Sequence, residues 1–144
     1  MSELYKIMLT AAFTILGGVI IYTLGQIIAK FFIEPIHKQL MCIGKISDSL
    51  IFYANQYSNP GSGMPDEMDK VQRILRQQAS LLVSKTHVIK WYGFFEIFKF
   101  VPKRIAISEA SRELIGLSNS IHEGRSDFNT ARVKNIKKAL NIKF

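Results

Sequence analysis

A chain of 144 residues has room for one modest domain, and here 48% of residues are hydrophobic while the formal net charge is +8. A mean hydropathy of +0.13 combined with that charge points to a membrane protein facing an anionic surface. The single cysteine, Cys42, excludes an intrachain disulfide and any zinc site built on cysteines.

Residues 1–6, MSELYK, read as a short tail. The next stretch, IMLTAAFTILGGVIIYTLGQIIA at 7–29, contains no formally charged residue. As a helix it reaches roughly 34 Å, enough for a hydrocarbon core of about 30 Å, so the spacing predicts a transmembrane helix over 7–33. A cleaved secretory signal has a shorter apolar region, and no small-x-small cleavage site follows before Lys30. A buried helix of a soluble protein carries a polar stripe that this segment lacks. Only Lys6 flanks the helix on its N-terminal side, whereas Lys30, Lys38 and Lys45 lie beyond it, which favours a cytoplasmic C-terminal domain. Thr10, Thr14 and Gly18 fall four apart on one face, with Gly25 seven further on. Small residues at that spacing permit close approach of a second helix and hence self-association.

The pattern stays helical after Pro35, which either begins a new segment or kinks a continuous one. Ile36, Leu40, Ile43, Leu50 and Ala54 form an apolar stripe up to a loop predicted over 57–65. Pro65 with Asp66, Glu67 and Asp69 suits a helix start, because carboxylates complement the N-terminal dipole. That helix carries Val71, Ile74, Leu75, Leu81 and Leu82 and is expected to fold back on the preceding one.

The stretch KWYGFFEIFKFVPKR at 90–104 is densely aromatic and bracketed by cations. As a helix it sets Trp91, Phe94, Phe95, Phe98 and Val101 on one face and Tyr92, Glu96, Lys99 and Lys103 on the other. It is too short to span a bilayer, and Glu96 and Lys99 oppose burial in lipid. Two readings stand: a helix closing the core of the bundle, or one in the headgroup region with Trp91, Phe94, Phe95 and Phe98 in the interface and Lys99, Lys103 and Arg104 on anionic lipid.

Residues 107–124 give the most regular helix, with Ile107, Ala110, Leu114, Leu117 and Ile121 in register, Ser108 as cap and Gly124 as stop. Ser111, Gly116 and Ser118 lie on or near this seam and allow tight packing or assembly, and Asn119 is a candidate buried hydrogen-bonding group. The final segment, 125–144, reads as a basic amphipathic helix. It has Val133, Ile136 and Leu140 on one side and Arg132, Lys134, Lys137, Lys138 and Lys143 around the remainder, a surface suited to anionic lipid.

LRQQASLLV at 75–83, the aromatic stretch ending FVPKR, and EASRELIGLSNSI at 109–121 together resemble a group of short bacterial membrane proteins with one N-terminal span. The likeness covers most of the chain after residue 34. It implies a bacterial inner-membrane setting and brings no activity or site residue with it.

Motifs for chemistry are absent from the sequence. His37, His87 and His122 share no metal-ligand spacing with another His, Asp or Glu, and there is no G-x-S-x-G, P-loop or G-x-G-x-x-G. Cys42 has only Lys38 nearby as a basic neighbour, and Glu109 and Glu113 read as a solvated helix face. Nucleic acid is not the expected partner, since the aromatics are interleaved with aliphatics and the basic tail suits the inner leaflet. The expectation is therefore an all-α protein: one N-terminal transmembrane helix, then a small cytosolic helical bundle over 34–124 and the basic helix. It is expected to act without cofactor or metal as an anchored interaction or assembly module, its partners being the lipid bilayer and a protein or further copies of itself. A membrane-perturbing effector and a lipid-acting enzyme are the alternatives.

Overall fold

A computed structural model describes residues 2–143; all regular structure among them is helical, with no strand. The chain divides into two compact units, residues 1–34 and 35–144.

The first unit contains α1, Glu3–Ile28, and a π-helical turn, Ala29–Ile33. The helix starts four residues earlier than the apolar run, because Ser2 O accepts from the N–H of Tyr5 at 3.0 Å and Glu3 pairs with Lys6 at 2.9 Å. A carboxylate in the first turn also meets the positive end of the helix dipole. No α1 residue is buried, and its large apolar side chains are exposed on every side. It is long and apolar enough to cross a membrane. The π turn ends where Glu34 N–H reaches back five residues to Ala29 O. The widened turn directly precedes Pro35, which has no N–H to donate and whose ring crowds the carbonyl four residues back.

The second unit begins one residue into α2 (Glu34–Phe52) and continues through α3 (Ala54–Ser58), α4 (Pro65–Val88), α5 (Tyr92–Ile97), α6 (Arg104–Asn119) and α7 (Ser126–Leu140). The four long helices share one core, in which Ile46, Leu50, Leu75, Leu82, Leu114 and Ile136 are fully buried. Cross-links fix their directions. Gln39 meets Thr86 and Gln78 meets Ser49, so α2 and α4 run antiparallel. Ser111 Oγ donates to Ala79 O at 3.2 Å, and Arg76 meets Asn119, so α4 and α6 are antiparallel too. Glu113 with Arg132, and Ser120 with Asn129, set α7 antiparallel to α6.

Several local expectations are corrected by packing. The buried face of α2 is Gln39, Cys42, Ile46, Ser49 and Leu50, whereas Leu40 is exposed, so the helix is rotated from its apolar stripe. The amide of Gln39 explains this: its Nε2 donates to Thr86 Oγ1 at 2.7 Å and to Tyr92 Oη at 3.1 Å, which satisfies a polar group inside the bundle. The predicted loop at 57–65 begins later, because α3 carries Tyr57 into the core, where its hydroxyl donates to Leu50 O at 2.7 Å. Gly61 shapes the remaining turn. Its φ is +76°, its N–H donates to Ile121 O at 3.1 Å, and a Cβ there would lie 2.7 Å from His122 O.

α6 starts at Arg104 rather than near Ser108, since Glu96 Oε2 accepts the Arg104 N–H at 3.2 Å and caps the end from another segment. It stops at Asn119, short of Gly124. Ser120 turns its hydroxyl to Leu117 O at 3.0 Å and to Asn129, which competes with helix continuation. Asn119 is exposed and bonds Arg76, whereas Asn129 is the asparagine whose amide is buried.

Among the described residues, none donates a hydrogen bond to Gln39 Oε1. Thr86 and Tyr92 keep their own donations, to Leu82 O at 2.8 Å and Pro102 O at 2.6 Å, even without Gln39. Gln39→Leu is therefore expected to leave stability within about 1 kcal/mol of wild type, while Gln39→Ala, which also leaves a cavity, costs about 2–3 kcal/mol. Urea unfolding of the detergent-solubilised chain measures both.

Candidate functional site

The aromatic segment between α4 and α6 is assembled by two breaks in helical geometry. Trp91 has φ 54° and Lys99 φ 59°, both left-handed, and between them α5 is only six residues long. A non-glycine residue in that region is disfavoured by roughly 1–2 kcal/mol, so tertiary contacts hold both ends of the segment. Those contacts come from Tyr92. It is 1% exposed and donates its hydroxyl to Pro102 O at 2.6 Å. It also carries the Arg104 guanidinium over its ring at 4.8 Å. Ile89, Tyr92 and Val101 form a small second core, against which Ile36 and Phe95 pack.

This inverts part of the predicted helical face. Tyr92, expected outward, is the buried anchor, while Trp91, Phe94 and Phe98, expected on the apolar face, are exposed and Phe95 is half-buried. The left-handed Trp91 interrupts the helix and resets its phase, so a wheel drawn through 91–101 does not apply. Outside, Phe94 packs edge-on to Phe95 at 5.5 Å and tilted on Phe98 at 4.8 Å, with Phe100 beyond. Ile97 completes an exposed apolar surface, and Lys99, Lys103 and Arg104 lie exposed along the same stretch of chain.

The packing seam of α6 is used inside the chain. Leu114, Leu117 and Ser118 are fully buried, and Ser118 Oγ donates to Ile115 O at 2.7 Å. At Gly116 the guanidinium of Arg132, on α7, lies over the backbone, and a Cβ there would require that flexible side chain to shift. Arg132, half-buried, pairs with the largely buried carboxylate of Glu113 at 2.9 Å. Glu113 therefore belongs to a cross-helix pair and not to a solvated face. Lys137 is half-buried, and Lys134, Lys138 and Lys143 are exposed. On α1, Thr10 Oγ1 donates to Lys6 O and Thr14 Oγ1 to Thr10 O, each at 2.9 Å, and among the described residues nothing lies within 4 Å of a Cβ added at Gly18 or Gly25.

Among the described residues, no group of three or more His, Cys, Asp or Glu side chains converges to hold a metal. His122 pairs with Asp69 at 3.0 Å. An open groove of about 470 Å³ runs between α4 and α6, lined by Val83, His87, Arg104, Ile107, Arg112 and Ile115 among others.

Cys42 is buried, and burial pushes its thiol above the ordinary value of 9.0, with Lys45 and Lys85 partly offsetting the rise. Burial likewise raises the Tyr57 and Tyr92 phenols above 10.0, for Tyr92 against the lowering effects of the Gln39 hydrogen bond and the Arg104 charge. In each case the folded state holds the proton more tightly than the unfolded chain. The associated stability is complete below the ordinary value and is lost as pH rises through the folded one. The urea midpoint is accordingly expected to begin falling once pH passes 9.0, and Cys42→Ser to delay the onset of that fall.

The sequence pattern did not expose Gln39 or Asn129 as structural groups; the available signal was a polar residue at helix spacing from apolar ones. No protein-family model, curated protein or solved structure matches the chain.

Proposed function

We propose that the protein is a membrane-tethered, non-enzymatic interaction or assembly module. In this reading α1 crosses a bacterial inner membrane once and the helical bundle lies in the cytoplasm. The observation that carries it is α1 itself: not one of its residues is buried, although it is apolar on all sides. Such a surface is stable in lipid and strongly disfavoured in water. The bundle, by contrast, has a complete core of its own, as an independently folded binding module requires. Lys30, Lys38 and Lys45 against Lys6 support the cytoplasmic placement.

The chain is expected to stay in the pellet after alkaline carbonate extraction. Leu16→Arg, near the middle of α1, adds a charge that insertion disfavours by about 3 kcal/mol and is expected to move a measurable fraction to the supernatant. A wild-type protein released by carbonate would falsify the tether. Self-association along the Thr10, Thr14, Gly18 and Gly25 face is tested by cross-linking, with Gly18→Leu expected to lower the dimer yield.

A further inference from the structure

We propose that the aromatic corner at 91–100 is a second membrane contact, seated in the headgroup region of the same anionic bilayer that α1 enters. The inference rests on the tether reading and adds a lipid-binding site to it.

Three observations converge. Trp91, Phe94, Ile97, Phe98 and Phe100 are each more than half exposed, with Trp91 at 74% and Ile97 at 77%, in a segment whose own anchors, Tyr92 and Val101, are buried. Rings turned out of a fold that has inward positions available make a surface for an apolar partner. The backbone is held in the left-handed region at both ends of α5, at Trp91 and Lys99, which orders the corner instead of leaving a floppy loop. Finally, the corner is built on the residues that follow the apolar helix directly: Ile36, the third residue after Ile33, packs against the cluster of Ile89, Tyr92 and Val101. Along the chain, only Glu34 and Pro35 separate Ile36 from the last residue of the π-helical turn.

The chemistry selects the kind of lipid. Trp and Phe are suited to the headgroup and acyl boundary, and exposed Lys99, Lys103 and Arg104 match phosphate-bearing anionic lipids.

Trp91 is the only tryptophan, so its fluorescence reports on this corner alone. The full-length chain is reconstituted into phosphatidylcholine vesicles with and without phosphatidylglycerol, carrying bromine either near the headgroup or deep in the acyl chain, and the same preparations are extracted with carbonate. The expected result is blue-shifted emission, quenched at least about twofold more by shallow than by deep bromine and more strongly when phosphatidylglycerol is present. Phe94→Ser with Phe98→Ser is expected to reduce that quenching while the circular dichroism is unchanged. A carbonate-resistant protein whose Trp91 is open to acrylamide and untouched by bromine overturns the second contact and leaves the tether standing. A Trp91 shielded from both quenchers places a protein surface, such as a second copy, on the corner, and also overturns it. Equal quenching in both lipid mixtures overturns the assignment to anionic lipid. Release by carbonate overturns the tether reading, and the inference with it.

Discussion

Tyr92→Ala is expected to lower the unfolding free energy of the bundle by about 4 kcal/mol, while Trp91→Ala, one residue earlier, changes it by less than about 1 kcal/mol. The contrast follows from burial: Tyr92 is 1% exposed and Trp91 74%. Removing the Tyr92 ring opens a cavity under Ile89, Val101 and Ile36 and takes the donor from Pro102 O and the cation–π partner from Arg104. The six residues of α5 have too few backbone hydrogen bonds to persist without that anchor. Tyr92→Phe keeps the ring and loses only the hydroxyl's bonds, for about 1–2 kcal/mol. Urea unfolding by circular dichroism measures all three, and limited trypsin digestion after Lys90 and Lys99 reports release of the segment. Equal losses for Trp91→Ala and Tyr92→Ala would contradict the inverted face.

Asn129→Ala is expected to cost about 3 kcal/mol, more than an average core truncation of the same size. The amide is fully buried and joins three segments: Nδ2 donates to Tyr57 O at 2.9 Å, from α3, and Oδ1 accepts from Ser120 Oγ at the end of α6. Truncation leaves the Tyr57 carbonyl and the half-buried Ser120 hydroxyl with one partner fewer. Asn129→Asp tests the hydrogen bonding at nearly constant volume. It keeps the acceptor for Ser120, loses the donor to Tyr57 O and places a carboxylate against a carbonyl, so it is expected to be at least as damaging at neutral pH and to recover as the carboxylate protonates. The unfolding midpoint as a function of pH reads this directly. A flat profile would show that the amide is not the joint between α3 and α7.

The all-helical fold, the long apolar N-terminal helix and the cores of α6 and α7 were legible in the chain for one reason. Ile107, Ala110, Leu114 and Leu117, like Val133, Ile136 and Leu140, repeat at helix spacing, and each is buried where that spacing puts it, whereas Ile121 is buried from the turn beyond the helix. The run from residue 7 to 29 without a charge predicts, from local composition alone, a helix long and apolar enough for a membrane. What periodicity could not supply were the features in which a residue distant in sequence sets the local geometry. Glu96 caps α6 from eight residues away, Gln39 turns α2 toward Thr86, and Arg132 lies over Gly116. The aromatic corner is the clearest case. Its composition announced a special segment, but left-handed turns at Trp91 and Lys99 decided which rings are anchored and which face outward. Helical periodicity describes only a backbone that remains helical, and here packing against Ile36, Ile89 and Val101 breaks it.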